Sequence, residues 1–193
     1  EFRRVLFRSR SAKEISSSIE NLGGGINAYT TNEFTSFYAK VVDEALPLAV
    51  DVLSDVITSA VVTQEEFENE RNVVFQEMAM RDDDPQDCAE EAFSSAFWGS
   101  HPLGTSILGT KESMSAISRD QIFNYYKKYY KPEAMVVSAA GNIDHDNFVT
   151  LVKDNLERDD FLTGNNQPKL RDYSSFKPTR SEEHTSELQS RET

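Results

Sequence analysis

Two glutamates seven residues apart are the clearest candidates for chemistry in this sequence. Glu70 and Glu77 lie in the segment NERNVVFQEM, whose composition and spacing favour a helix. A helix turns about 100° per residue, so a seven-residue step brings both carboxylates to nearly the same side, about two turns apart. Val74 lies between them on that side. The pattern predicts a partner for these charges; the alternative is a charged stripe at the edge of a core, because Glu is a common helix former.

The histidines do not supply the rest of a metal site. His101 is the first histidine of the chain and lies in the Gly- and Pro-rich stretch at 99–111, whereas His145 directly follows Asp144, a typical helix cap. Neither has a metal-ligand spacing with Glu77. We therefore expect a structural or solvated role for both.

Two other motifs are better explained by local structure than by a ligand. Asp82, Asp83 and Asp84 precede Pro85 but lack the alternating oxygen ligands of a calcium loop, so we expect a solvated turn. Gly23, Gly24 and Gly25 end a predicted helix and precede a strand. A phosphate-binding loop has the opposite order, since it follows a strand and opens a helix.

Hydrophobic periodicity predicts an α+β fold, with an antiparallel or mixed sheet covered by helices. Helical spacing at Ile15, Ile19 and Leu22 is followed by a hairpin that turns at Thr31, Asn32 and Glu33. The later predicted elements are a helix at 44–59, a helix opened by a Thr63–Glu66 capping box and running to about Arg81, a helix ending at Trp98, an irregular stretch at 99–111, a helix capped by Ser118 and Gln121, a buried strand in AMVVSAAGNI and a helix after Asp144.

The two ends of the chain are interpreted as non-native. EFRRVLFRS at 1–9 and RSEEHTSEL at 180–188 can be written, codon by codon, as reverse complements of each other. This is expected of one synthetic oligonucleotide, of the sequencing-adapter kind, read from both ends of a DNA fragment. We therefore exclude 1–9 and 180–193 from fold reasoning and expect a natural segment at about 10–179.

Composition limits the classes of partner. The net charge is −13, and the non-native ends cancel each other, because three arginines and one glutamate at 1–9 oppose two arginines and four glutamates at 180–193. Such acidity argues against a nucleic acid or an anionic membrane as partner. No stretch approaches the ~18 apolar residues of a membrane span. Cys88 is the one cysteine, which excludes an internal disulfide and leaves the compartment open, with a lean towards a reducing, bacterial cytoplasmic one.

Several of these segments together resemble a known family. IENLGGGINAYTTNEFTSFYAKV, LPLAVDVLSDVI, ENERNVVFQEM, HPLGTSILGT and MVVSAAGNI are similar to the inverzincin peptidases, the pitrilysin, insulinase and mitochondrial-processing-peptidase family, and the likeness covers nearly all of 10–160. GGGINAYT and ERNVVFQE are the most specific pieces. The resemblance implies a bacterial processing-peptidase-like protein with a pitrilysin-like half-domain. It implies a truncated N-terminal metallopeptidase domain at 10–160, with a linker or the start of the next segment at 161–179.

The resemblance also assigns roles to the two glutamates. Members of the family bind zinc through an H-x-x-E-H helix and a later glutamate. By that likeness Glu77 is the third zinc ligand, and Glu70 is a carboxylate outside the ligand set that positions the ligands. The H-x-x-E-H element would fall at or before residue 5, within the non-native end. Both histidine ligands and the general-base glutamate are therefore expected to be absent, so this chain alone should bind zinc poorly and be inactive.

A peptide-binding strand follows from the same likeness. In the family the strand that corresponds to Asn27, Ala28 and Thr30 accepts an extended substrate by β-augmentation.

Two functions stay open. One is a zinc metalloendopeptidase that cuts unfolded or presequence-like peptides with the help of a second homologous domain or subunit. The other is a non-catalytic homologue that serves as a partner subunit or structural core protein.

Overall fold

A computed structural model describes residues 6–7, 12–157 and 161 of this chain. The described elements are short strands in the first third of the chain, interspersed with helices, followed by a run of helices. In chain order they are β1 (Leu6–Phe7), α1 (Ala12–Glu20), β2 (Gly25–Thr30), β3 (Thr35–Lys40), α2 (Leu46–Thr58), β4 (Ala60–Val61), α3 (Gln64–Asp83), α4 (Pro85–Trp98), α5 (Lys111–Ala116), α6 (Arg119–Tyr129) and α7 (His145–Leu156). This arrangement confirms the predicted α+β class.

The described residues divide into two compact units. The first comprises the described parts of Glu1–Tyr29, Thr35–Asn72 and Ala116–Leu170, and the second comprises Thr30–Phe34 and Val73–Ser115. The division crosses α3 between Asn72 and Val73, within one continuous helix. Each unit is considered by itself below.

The core of the first unit lies between α1, α2 and the inner face of a hairpin. The buried side chains of this core are Ile15, Ile19, Ala49, Val52 and Val56. On β3 and just after it, alternate residues Phe37, Ala39 and Val41 pack against the core, whereas Tyr38 is exposed. This period of two is the pattern that predicts a strand with one buried face.

The glycine run after α1 explains where this helix ends. Gly23 has a φ of 73°, a left-handed conformation that glycine adopts readily, and the N–H of Gly24 donates to the carbonyl of Ile19 at 3.1 Å. The helix therefore stops at Glu20. Leu22, which the sequence places at helical spacing from Ile15 and Ile19, lies beyond the end of α1 and is exposed, because the chain has already turned away from the helix.

β2 and β3 form the predicted hairpin. They are neighbours in a two-stranded sheet, and the four residues that join them are too few for a parallel crossover, so the strands are antiparallel. At the turn the N–H of Thr31 donates to the carbonyl of Phe34 at 2.8 Å. β1 pairs separately and antiparallel with β4, with Leu6 opposite Val61 and Phe7 opposite Ala60. β1 lies within the residues that we interpret as non-native, and that interpretation stays a prediction.

The helix caps predicted from sequence are present. Thr63 and Glu66 form the capping box of α3, in which the N–H of Glu66 donates to Thr63 Oγ1 at 3.2 Å and the N–H of Thr63 donates to Glu66 Oε2 at 3.3 Å. Ser118 and Gln121 form the equivalent box on α6, and Asp144 accepts from the N–H of Asn147 at 2.9 Å at the start of α7. Each cap satisfies donors that a helix start leaves unpaired.

One predicted strand is absent. Residues 135–140, in the apolar segment AMVVSAAGNI, belong to no strand, and Val136 is 94% exposed rather than buried. The backbone at Met135 is extended, with φ −116° and ψ 145°. An apolar run favours the extended conformation, but a strand also needs a neighbour for its hydrogen bonds, and no described strand pairs with this segment.

None of the helices in the described part of the chain is long and apolar enough to cross a membrane.

Candidate metal-binding helix and peptide-binding strand

α3 carries both predicted metal-site residues. It spans Gln64–Asp83, so Glu70 and Glu77 lie on one continuous helix, as the sequence predicts. Val74 and both glutamates are partly buried.

The part of α3 that carries Glu70 belongs to the first unit, where hydrogen bonds from two arginines hold it in place. Arg71 donates through Nη2 to the carbonyl of Ile117. Ile117 directly precedes Ser118, the N-cap of α6. Arg119 donates in return through Nε to the carbonyl of Val62, just before α3, at 2.6 Å. Each bond joins a charged donor to a backbone carbonyl, so each is stronger than a neutral hydrogen bond.

Ring contacts add to this reciprocal pair of arginine bonds. The Arg71 guanidinium lies 4.5 Å from the centre of the Phe67 ring, and that of Arg119 lies 4.4 Å from the centre of the Phe123 ring. Arg71 Nη1 also pairs with Glu68 at 2.8 Å. Sequence reasoning missed this arrangement, because Arg71 and Ile117 are 46 residues apart and nothing in their spacing links them. Together these contacts fix the helix segment that holds Glu70.

Glu77 lies in the second unit and has a different environment. It is partly buried, and its side chain makes no hydrogen bond or ion pair within the described part of the chain. Its neighbour in sequence, Met78, is 1% exposed. A partly buried carboxylate without a partner is unusual, since buried charges are normally paired or bound to a metal.

The donors in the described residues do not fit zinc. No group of three or more His, Cys, Asp or Glu side chains within 6–7, 12–157 and 161 is placed to hold a metal ion. A catalytic zinc needs three protein ligands, and Glu77 would supply one. The described residues therefore do not complete a catalytic zinc site.

The histidines take local roles. His101 precedes a short 3₁₀ turn at Pro102–Gly104, where its Nδ1 accepts from the N–H of Leu103 at 3.2 Å, and its ring lies 5.3 Å from that of Trp98. His145 is the first residue of α7 and is exposed. Neither belongs to a cluster of metal-ligating side chains among the residues that the structure describes.

The acidic turn before α4 is a capping site. Asp84 accepts from the N–H groups of Gln86 at 2.8 Å and Asp87 at 3.4 Å. Asp82 pairs with Arg81 at 2.7 Å, and this arginine also reaches Glu91 at 3.2 Å and Ser106 at 3.0 Å. The hydrogen bond to Asp82 is the largest cause of a raised pKa at Arg81. The aspartates are exposed, as expected of a solvated turn.

The predicted peptide-binding residues lie on β2. Asn27 and Thr30 are exposed and Ala28 is partly buried. β3 is the one neighbour of β2 among the described strands, so the other edge of β2 has no strand beside it in the described part of the chain. An edge of this kind presents backbone groups to an incoming extended chain.

The protein matches two family profiles. Residues 2–111 match the insulinase family of peptidases, family M16, and residues 116–190 match a profile described as the M16 inactive domain.

Similar proteins carry the name of zinc protease. The chain is 44% identical over 155 residues to an uncharacterised zinc protease of Mycobacterium leprae. The matched region covers 79% of this chain and 35% of that protein. It is 40% identical over 141 residues to another from Bacillus subtilis, covering 73% of this chain and 34% of that protein. The chain thus spans about a third of the length of these relatives.

Solved structures share the fold. A protease from Helicobacter pylori matches with a TM-score of 0.78 at 21% identity, over 92% of this chain and 42% of that one. An M16-like peptidase from Alicyclobacillus acidocaldarius matches with a TM-score of 0.72 at 28% identity, over 87% of this chain and 40% of that one. With more than half of its length matched by the family profile, the chain belongs to the M16 insulinase family of peptidases.

Proposed function

We propose that this chain is part of a zinc metalloendopeptidase, to which it contributes one zinc ligand, Glu77, and one substrate-binding strand, β2. The observation that carries the proposal is the partly buried, unpartnered carboxylate of Glu77 on a helix that lies within the family match. The names of the similar zinc proteases support it. The remaining ligands and the general base come from residues outside this chain, so the chain alone is inactive.

Glu70 has a positioning role in this proposal. A zinc ion supplies an acidic bound water for peptide hydrolysis, and carboxylates beyond its ligands hold those ligands in place. Glu70 is partly buried on α3, and the arginine bonds to Ile117 and Val62 fix the backbone beside it. We assign Glu70 to the support of the ligand set and not to the ligand set itself.

The substrate is an unfolded or presequence-like peptide. Strand addition to β2 uses main-chain hydrogen bonds, which do not depend on the peptide's sequence. The net charge of −13 favours basic peptides over acidic ones through long-range attraction. A second homologous domain or subunit completes the binding surface.

A non-catalytic role is the second candidate. It is favoured by the match of residues 116–190 to a profile described as inactive. In that case the full protein would keep the fold for assembly with a partner subunit and bind no zinc.

Zinc analysis of the full-length protein separates the two functions. Glu77→Gln should remove metal and peptide hydrolysis together, and Glu70→Gln should weaken metal affinity or rate by about 10 to 100-fold. Glu65→Gln, in the exposed first turn of the same helix, is the matched control and should change neither. Normal zinc content and hydrolysis in both test variants would remove α3 from the metal site, and a zinc-free wild type would favour the non-catalytic role.

The chain by itself should bind zinc no better than any acidic protein, because the described donors make no three-ligand group. Equilibrium dialysis measures this directly. Stoichiometric binding at micromolar zinc would reveal a site other than the one proposed.

A further inference from the structure

Helix α6 has more apolar surface than the first unit covers. One side of the helix packs there: the Tyr126 hydroxyl donates to the carbonyl of Ile57 at 2.7 Å, and the Tyr130 ring lies 6.2 Å from that of Phe37. Three exposed apolar residues occupy the adjoining side, and we call them the tyrosine face: Ile122, Tyr125 and Tyr129. They share a side because they are three, four and seven residues apart. Apolar helix surface of this width is normally packed against another element.

Basic side chains flank the tyrosine face. Lys128 is exposed, and its Nζ lies 4.8 Å from the centre of the Tyr129 ring. Lys131, just after the helix, is exposed as well. Residues 119–131 contain four basic residues and one aspartate, a local charge of +3 in a chain whose net charge is −13. The tyrosine face is therefore complementary to an apolar surface with acidic residues beside it.

Helix α4 has a surface of that kind. Phe93 is 68% exposed and stacks on Phe97 at 5.7 Å, and Ala89 lies on the same side one turn earlier. We call these three residues the phenylalanine face. Glu90 and Asp87 are exposed beside it, and residues 82–91 contain six acidic residues and no basic one. Glu90 accepts from the side-chain amide of Gln86 at 2.9 Å, a neutral donor that does not compensate its charge.

We propose that the tyrosine face of α6 in one copy of this chain packs against the phenylalanine face of α4 in a second copy. An antiparallel pairing of the helices sets Tyr125 opposite Phe97 and then brings Tyr129 to Phe93. The basic end of α6 thereby lies beside the acidic start of α4, with Lys128 next to Glu90. The dipoles of antiparallel helices favour the same arrangement. This association depends on neither zinc nor peptide.

The association between copies is weak. One pair of helix faces buries less than the ~1,200 Å² of stable complexes, so we expect a dissociation constant of about 0.1 to 1 mM. The net charge of −13 makes the copies repel each other. That repulsion is largely screened beyond about 8 Å at physiological ionic strength, whereas the opposite charges beside the two faces act at contact.

Charge reversal on the full chain tests the pairing. Amide chemical shifts followed on dilution from about 1 mM give the dissociation constant and show which residues are in contact. Lys128→Glu and Glu90→Lys should each weaken self-association by about three- to tenfold, because each replaces an attraction by a repulsion. The double variant Lys128→Glu/Glu90→Lys should recover the wild-type value. Lys153→Glu, at an exposed position of α7, changes the net charge as Lys128→Glu does and should have a smaller effect.

Three results of this experiment would overturn the pairing. The first is a wild-type chain that stays monomeric over the whole dilution. The second is a double variant no better than the single ones, since the two charges would then not meet. The third is a set of shifts confined to residues outside α4 and α6, such as the exposed segment at 135–140, which would identify a different contact surface.

A second pair of variants tests the aromatic part of the contact. Phe93→Ala removes an exposed ring from the phenylalanine face and should weaken self-association by about five- to thirtyfold, as aromatic residues at the centre of an interface do. Tyr125→Phe keeps the ring on the tyrosine face and is the matched control, which should associate as wild type. Unchanged self-association of Phe93→Ala would show that α4 is not the partner of α6 and would overturn the proposal.

Discussion

The two units are stabilised by different kinds of contact. In the first, aliphatic side chains of α1, α2 and the hairpin are buried together, and Ile19 and Val52 are 0% exposed. In the second, Met78 is the one buried hydrophobic residue among those described, and Phe93 is 68% exposed where it stacks on Phe97. Polar contacts prevail there: Asn32 Nδ2 donates to the carbonyl of Thr105 at 2.8 Å, and Arg81 joins three side chains.

The difference in buried apolar contacts indicates which unit contributes more to the free energy of unfolding. Burial of aliphatic surface supplies most of the free energy of folding, whereas exposed ion pairs contribute little. The first unit has its own core and the second has hardly any. We expect the second unit to open at lower free energy than the first, as regions with few buried apolar contacts do.

The largest expected effect is the loss of a buried side chain from the first unit. Ile19→Ala should lower the free energy of unfolding by about 2 to 5 kcal/mol, because it leaves a cavity in the core. Phe93→Ala in the second unit should cost less than about 1 kcal/mol, since that ring is mostly exposed. Urea denaturation of both variants measures the contrast. Equal losses would contradict it.

A smaller effect is expected where the hairpin approaches α1. A Cβ on Gly24 would lie 2.8 Å from the carbonyl oxygen of Lys40 and 3.0 Å from Cγ2 of Ile19. Gly24→Ala should therefore destabilise the first unit by about 1 to 3 kcal/mol through overpacking. Gly25→Ala is the control, because a Cβ there meets nothing within 4 Å. If the two variants unfold at the same urea concentration, the close approach does not occur in solution.

Caps should matter in the second unit, where the core is small. Asp84→Ala removes the acceptor for the N–H groups of Gln86 and Asp87 and should cost about 1 kcal/mol. Asp84→Asn retains an acceptor and should restore most of the loss. Helix content and the urea midpoint of unfolding measure the loss in Asp84→Ala and its recovery in Asp84→Asn. An Asp84→Ala protein as stable as wild type would show that α4 does not depend on its cap.

The smallest expected effect is on the pH dependence of stability, through the hydroxyl of Tyr126 in the first unit. Burial raises the pKa of Tyr126, whose hydroxyl donates to the carbonyl of Ile57 at 2.7 Å. A raised folded-state pKa means that this stabilisation is fully present below the ordinary tyrosine value of 10.0 and is lost as the pH rises through the higher folded value.

Tyr126→Phe should therefore cost about 0.5 to 1.5 kcal/mol at neutral pH and make the alkaline loss of stability shallower. Tyr125→Phe, at an exposed ring, is the control and should change neither. Urea denaturation at neutral and alkaline pH tests this. A Tyr126→Phe protein with the wild-type alkaline profile would exclude the phenol as its cause.

Much of the fold could be predicted because its signals are local. The capping boxes at Thr63 and Ser118 join residues three apart, and the glycine stop after α1 depends on the backbone of one residue. The helix period predicts that Glu70 and Glu77 share α3, and the structure confirms it. Their roles at a metal stay predictions, as do those of Asn27, Ala28 and Thr30 in binding peptide.

The sequence by itself determined the hairpin, the family and the helices other than α5 (Lys111–Ala116), since propensity, periodicity and motif are properties of neighbouring residues. Only the tertiary structure decided which segments find partners. Among the described residues the apolar segment at 135–140 has no neighbouring strand, whereas Arg71 bonds to Ile117, 46 residues away in the chain, and Arg119 bonds to Val62, 57 residues away. The physical reason is that a strand edge or a guanidinium needs a complementary group in space, and residue spacing does not determine where that group lies.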